Sequence, residues 1–344
     1  MTPKQQGFFF PPEWHLHRAT WLTFPHNEAS WQGSKRQQMY PQYIAFIKAI
    51  SAGEKVCLNV HNELVKQIAL VELEKGGVDL SQIEFLLTPT NDAWCRDHGP
   101  SFLINPTTNQ RLVLDWGHNA WGGKYPPFDD DDRIPTKVAE YLGLPVIEPG
   151  IIMEGGSVEF NGAGAVLTSK SCLLNQNRNP HLTQAQIEQY LIDYYGIDQV
   201  LWVADGIVGD DTDGHIDDTT RFANEETVLA AVAPSHDENH DVLAANLKML
   251  KTMRLLNGKP LNIIELPMPD PVVIDDFMTP ASYANFYICN AGVIVPTYRC
   301  VQDQTAVDIL SAVFPNHPII PLDATDIIWG QGSFHCLSQQ EPLV

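Results

Sequence analysis

The sequence predicts an α/β propeller-like ring built from repeated strand–strand–helix–strand modules. Two observations point there. A short apolar strand running into a polar motif recurs five times, and amphipathic helical stretches separate the copies. The copies are "IEFLLTPTNDAWCRDHGP", "PVIEPGIIMEGGSVEF", "VLWVADGIVGDDTDGHIDD", "LNIIELPMPDPVVIDDFMTPASYANF" and "PIIPLDATDIIWGQGSFHC". Their strands begin at Ile83, Val146, Val200, Leu261 and Ile319, a period of roughly 54 to 63 residues. After the first four motifs come further strands: "SFLIN" and "RLVLDW", "AVLTS" and "SCLLN", "TVLAAVAP", then "FYICN" and "GVIVPTY". Helices lead to the next copy. In "TQAQIEQYLIDYYG", Ile187, Tyr190, Leu191 and Tyr194 follow i, i+3, i+4, i+7 spacing, with Thr183 as N-cap and Gly196 as the stop. "HDVLAANLKMLKTMRLLNG" repeats the scheme, with Gly258 as the stop. In a ring of this kind the motifs face a common centre, and each brings a chemically loaded residue: Asp97, Glu154, His215 with Asp217, Asn285, and Cys336. No linker rich in Pro, Gly or Ser divides the chain, so one domain over residues 1–344 is expected.

Composition narrows the function classes. Asp and Glu outnumber Lys and Arg by 42 to 21, a formal charge of −21. Such a field repels nucleic acid and anionic membrane surfaces and attracts small cations. Hydrophobic residues make up 44% of the chain, which is globular rather than disordered. No apolar run approaches the roughly 20 residues of a membrane helix. The start, "MTPKQQGFFFPPEWHLHRATW", is too short in its apolar stretch for a signal peptide and has no small-residue cleavage site. The six cysteines (Cys57, Cys95, Cys172, Cys289, Cys300, Cys336) are scattered with no C-x-x-C pair. A reducing, cytoplasmic compartment is therefore expected, and a homo-oligomer is left open.

A cysteine nucleophile needs a thiolate, a proton donor and a group that orients the donor. "TDGHIDD" supplies His215 and Asp217; in an extended segment, residues i and i+2 project from one face. Alone, that triplet more often marks a satisfied structural histidine. Asp97 lies in "WCRDHGP", where pairing with the adjacent Arg96 is disfavoured if neighbours in a strand face opposite ways. Glu154 precedes two glycines that permit close backbone approach. Converging buried carboxylates call for a charge partner. A planar guanidinium offers N–H forks to them and leaves its carbon open to a thiolate.

These motifs carry a resemblance. "EWHLHRATWLTFPHN", "NDAWCRDHGP", "DWGHNAWGGKYPPFDDDD", "EGGSVEFNGAGAVLTSKSCLLNQNRNP", "TDGHIDD", "ASYANFYICN" and "GSFHCLSQQEP" span nearly the whole chain in order. The sequence resembles the agmatine deiminase family, within the porphyromonas-type peptidylarginine deiminase group of the guanidine-modifying superfamily. The resemblance implies a pentein-like, five-fold pseudosymmetric α/β propeller. It implies hydrolysis of agmatine to N-carbamoylputrescine and ammonia, in polyamine synthesis, with deimination of peptidyl or other arginine as the alternative. It implies Cys336 as nucleophile, His215 as proton shuttle, and Asp97 and Asp217 as the guanidinium clamp. Glu154 would hydrogen-bond His215, Asn285 would lie near the thiol, and Trp94 and Trp121 would wall the pocket. Neither a metal nor an organic cofactor is implied.

The chain departs from the family pattern at "GQGSFHC", where many agmatine deiminases read "GGGNIHC", and at "TDGHIDD" in place of "TNGHVDN". Such changes bear on recognition of the substrate tail. An arginine substrate would need a cation for its carboxylate, and Arg96, Arg221 and Arg299 are the candidates near motifs. Three other features read as structural. Asp129–Asp132 is expected to be a solvated acidic turn, without the alternating spacing of a calcium loop. His236 and His240 belong to a helix start rather than a zinc site. His335, beside Cys336, should be turned away by strand alternation.

Overall fold

The computed structural model describes residues 1–344. Four of its sheets share one wiring, in which a first strand runs antiparallel to a second and the second parallel to a third. In chain order these are Ser101–Asn105, Gln110–Leu114 and Val146–Ile147; Val158–Phe160, Ala165–Ser169 and Gln199–Val203; Thr220–Phe222, Thr227–Val232 and Asn262–Pro267; and Tyr287–Cys289, Gly292–Thr297 and Ile319–Asp323. Another sheet follows the same rule with strands from both chain ends. Ser338–Pro342 lies antiparallel to His17–Thr23, which runs parallel to Lys55–Val60, with Ile83–Leu87 added beyond.

The connections obey strand geometry. In the four repeated sheets, antiparallel neighbours are joined by tight turns, such as Asn161–Gly164, where Gly162 and Gly164 take φ of 72° and 87°. Parallel neighbours need a crossover, and a helix supplies one in every sheet: Lys35–Ser51, Ile134–Leu142, Gln184–Tyr195, His240–Thr252 and Gln302–Val313. Three of these helices also touch the third strand of the preceding sheet: Lys35–Ser51 against Ile319–Asp323, His240–Thr252 against Gln199–Val203, and Gln302–Val313 against Asn262–Pro267. No helix is long and apolar enough to cross a membrane. All six cysteines are free thiols.

The chemically loaded motifs occupy equivalent places. Each lies in a short helical turn just before the first strand of a sheet: Cys95–His98, Gly155–Ser157, Ile216–Asp218, Tyr283–Asn285, and the turn that holds Cys336. Two local expectations change as a result. Asp97 and Asp217 stand in helical turns rather than extended strands, so alternation does not decide their directions. His335 is likewise in the turn before Ser338–Pro342, and it faces Asp217 instead of turning away.

Helix Gln184–Tyr195 begins with a full capping box, Thr183 with Gln186, and ends at Gly196 in left-handed conformation, φ 70°. Helix His240–Thr252 stops at the extended Met253, earlier than Gly258. Gly258 instead turns the short hairpin in which Leu255 N–H donates to the Lys259 carbonyl. Strand Asn262–Pro267 is followed by an inserted hairpin, Val273–Ile274 with Phe277–Met278, which the repeat pattern does not contain.

Candidate active site

The turns deliver their side chains to one buried cluster at the floor of a cleft of ≈ 800 Å³. Trp94, Asp97, Trp121 and Cys336 line that cleft directly. Cys336 Sγ accepts a hydrogen bond from Asn285 Nδ2 at 3.0 Å and lies 3.6 Å from Asp217 Oδ2. The Asn285 amide is fixed from both ends. Its Oδ1 accepts the backbone N–H groups of His335 and Cys336, at 3.1 and 3.3 Å, and its Nδ2 also donates to Asp218 Oδ1 at 2.9 Å.

Asp97 is held by Gly156 N–H at 3.0 Å and by Trp121 Nε1 at 3.0 Å. Trp121 reaches it from a strained backbone, since Ala120 and Trp121 adopt φ of 52° and 53°. Trp94 is braced by stacking on Trp31, with ring centroids 5.3 Å apart. His215 Nδ1 lies 3.7 Å from Asp97 Oδ1, and neither ring nitrogen has a hydrogen-bond partner. Gly156 sits between these groups: a Cβ there would meet His215 Nδ1 at 2.5 Å and Asp97 Oδ1 at 2.9 Å. Glycine is required at this close approach.

Glu154 does not hydrogen-bond His215 as the resemblance implies. One of its oxygens receives Arg178 Nε at 2.5 Å, while the other has no partner. Arg178, which motif reading passed over in "NQNRNP", also binds Asp213 and the Thr212 carbonyl, so it ties Glu154 to the loop ahead of His215. Ligand-type atoms of Glu154, Cys172 and His215 lie within 4.8 Å of one another, as do those of Asp217, Asp218 and Cys336. Both groups are drawn from this same cluster, and Arg178 already neutralises Glu154.

Electrostatics set the protonation states. Burial, then the charges of Asp217, Asp218 and Asp97, hold the Cys336 thiol well above its usual range. Burial opposes a charged His215, but Asp97, Cys172 and Asp217 outweigh it and raise its pKa well above the ordinary value. Burial also works against an ionised Asp217, yet the hydrogen bond from His335 Nδ1, at 2.6 Å, lowers its pKa. His335 Nε2 continues to Glu13 Oε2 at 2.8 Å. Buried polar atoms without partners are costly. Here Asp217 Oδ1 and Glu154 Oε2 are buried acceptors without partners, which groups rich in N–H donors can satisfy.

The remaining candidates sort out plainly. Arg96 binds Glu13 and Gln340, Arg221 binds Glu13 and Glu159, and Arg299 lies exposed on Asp323 and Asp326. None of the three lines the cleft. The acidic turn is not solvated throughout. Asp131 is 2% exposed, accepts the Asn91 and Asp92 N–H groups at 2.7 and 3.0 Å, and is pushed by burial to a pKa of about 7. It therefore fastens the loop ahead of Trp94. His240 is the first residue of its helix and binds the Ala233 carbonyl, while His236 lies outside that helix.

A mixed α/β fold that gathers a cysteine, a histidine and paired carboxylates in one buried cluster defines a guanidine-modifying type of site. The profile of the Porphyromonas-type peptidyl-arginine deiminase family matches residues 9–342, and the chain belongs to that family. It is 33% identical over 366 residues to the agmatine deiminase of Pseudomonas syringae pv. tomato, covering 99% of this chain and 97% of that protein. It is 34% identical over 366 residues to the agmatine deiminase of Ectopseudomonas mendocina, with the same coverage of 99% and 97%. The solved agmatine deiminase of Enterococcus faecalis superposes with a TM-score of 0.91 at 32% identity, over 99% of this chain and 98% of that one.

Proposed function

We propose that the protein hydrolyses agmatine to N-carbamoylputrescine and ammonia, supplying putrescine synthesis. The charge of the cleft carries this reading. Glu28, Asp92, Asp97 and Asp211 line it, with no Lys or Arg among the lining residues. Agmatine is a dication with an amine where arginine has a carboxylate, so acids along the cleft favour it and repel arginine's carboxylate. The names of the relatives at 33% and 34% identity support the same substrate.

In this mechanism Asp97 and Asp217 clamp the guanidinium nitrogens, and Trp94 and Trp121 flank the substrate. The incoming positive charge offsets the carboxylates that keep Cys336 protonated, and the thiol proton leaves to solvent. Sγ adds to the guanidinium carbon. His215 then protonates one nitrogen, the C–N bond breaks, and ammonia departs from an S-amidino-cysteine. The neutral imidazole next takes a proton from water and hydroxide adds to the same carbon. The S–C bond then breaks with the Cys336 thiolate leaving, and the hydroxyl gives up its proton to that thiolate as the carbamoyl C=O forms. Glu154, anchored by Arg178, is a positioning residue for His215. The repeated sheet wiring, the helices that touch neighbouring sheets and the sheet shared by both chain ends support a five-fold α/β propeller forming one catalytic domain over residues 1–344.

Ammonia release from agmatine, arginine and peptidyl arginine tests the reading. Wild type should favour agmatine, and Cys336→Ser should lose turnover by at least about 10³-fold. Turnover of peptidyl arginine with none of agmatine would overturn the substrate, and an active Cys336→Ser would overturn the nucleophile.

A further inference from the structure

Gln331 occupies a costly place on the cleft wall. Its backbone is left-handed, φ 77° and ψ 18°, a conformation that glycine adopts freely and a glutamine does not. Its neighbours prevent relief by movement. A Cβ on Gly330 would meet Trp31 Cζ2 at 2.4 Å and Trp94 Cζ2 at 2.9 Å; one on Gly332 would meet Trp94 Cζ3 at 2.6 Å and Cys336 Cβ at 3.0 Å. The Gly330–Gly332 backbone is thus pressed onto the indole that walls the cleft and onto the nucleophile's own Cβ.

The side chain has a second oddity. Gln331 lines the same cleft as Asp97 and Cys336. Its Nε2 makes a long contact, 3.4 Å, to the Trp329 carbonyl, which orients the amide, while its Oε1 is buried with no partner. A strained backbone that places an unsatisfied acceptor on the wall of an acid-lined cleft has the form of a ligand contact. An acceptor there needs an N–H donor, and the cleft lining contributes no Lys or Arg to supply it.

We propose that Gln331 is a specificity-determining residue whose Oε1 accepts a hydrogen bond from the cationic substrate, at an N–H beyond the two nitrogens clamped by Asp97 and Asp217. On a guanidine with an aminoalkyl tail, two groups qualify: the bridging guanidinium N–H and the terminal ammonium. The contact deepens the agmatine reading and rests on it for the identity of the tail.

Three variants separate acceptor from strain. Gln331→Gly removes both, Gln331→Leu removes the acceptor and keeps the strain, and Gln331→Glu keeps an acceptor. With agmatine, the Gly and Leu variants should both raise KM about tenfold, the usual scale for one lost hydrogen bond to a cation, with kcat changed less than about twofold. Gln331→Glu should retain a KM near wild type. In thermal melting, Gln331→Gly should rise above wild type while Gln331→Leu does not. n-Butylguanidine, which lacks the terminal amine, locates the donor: a KM penalty that persists assigns the guanidinium N–H, and one that vanishes assigns the ammonium. A higher melting temperature with unchanged KM in Gln331→Gly would overturn the contact, as would a KM penalty in that variant alone. Wild-type turnover of agmatine checks the parent reading separately. If another guanidine proves to be the substrate, the same KM comparison is made on that compound and decides the Gln331 contact alone.

Discussion

Asp218 shares the nucleophile's buried corner and, after burial and Asp217, holds its thiol up. Burial and the neighbouring Asp217 and Asp210 push its carboxyl well above the usual range, and it shares the Asn285 amide with Cys336 Sγ. Asp218 and the thiol therefore compete for one negative charge in one dry corner, and their titrations are linked. Replacing Asp218 by Asn removes the competitor while keeping a hydrogen-bonding group of the same shape. The thiolate should then form at lower pH. Iodoacetamide inactivation of Asp218→Asn, followed against pH without substrate, should rise at least about one pH unit below the wild-type curve; coincident curves would show that Asp218 does not hold the thiol up. The loaded residues were legible because nucleophile, imidazole and carboxylates have few other reasons to recur at matching places. Their partners were not. Arg178 and His335 act through contacts with distant parts of the chain, at Glu154, Asp217 and Glu13, and no local spacing announces such pairs.

At the scale of elements, the short helical turn ahead of each sheet is the device that aims the chemistry. Gly155–Ser157 illustrates its tolerance. Gly156 N–H holds Asp97, and the space where its Cβ would stand is bounded by His215, Asp97 and Asp217. Gly156→Ala should push the imidazole and the clamp apart, lowering kcat/KM by at least about 10²-fold, because sub-ångström misplacement of reacting groups is costly. Circular dichroism and the melting temperature should report a folded protein; a variant with normal kinetics would mean the turn has slack. Periodicity revealed two of the crossover helices, Gln184–Tyr195 and His240–Thr252, since an apolar stripe and an N-cap are local signals. It missed the turns, because three or four residues are too few to show a period. It also missed the hairpin Val273–Met278, whose strands have two residues each and whose bend uses Asp275 and Asp276 at φ 50° and 63° rather than glycine.

Across the whole molecule, several modules are tied together by a residue from outside the repeat. Glu13, 6% exposed, binds Arg96 at 3.2 Å, Arg221 at 3.0 Å, His335 at 2.8 Å and the Ile288 N–H at 2.8 Å. Its partners belong to four different stretches of the chain, so the amino-terminal segment locks the arrangement that the repeats only outline. The sequence "FFFPPEWH" has no periodicity to mark that role, since its contacts are all long-range. Burial alone would raise the Glu13 pKa, but Arg221, His335 and Arg96 together bring it far below the ordinary range. The sign of the linkage follows. A depressed carboxylate contributes its full stability above the unfolded pKa of about 4.3 and loses it as pH falls toward the folded value. Glu13→Ala should cost about 3–5 kcal/mol near neutral pH, because it leaves buried cations short of a partner. Urea unfolding of wild type and variant at several pH values should show that gap narrowing between about pH 5 and pH 3, as protons bind the unfolded wild-type chain first. A gap that stays constant with pH would mean Glu13 stabilises the fold by packing rather than by charge.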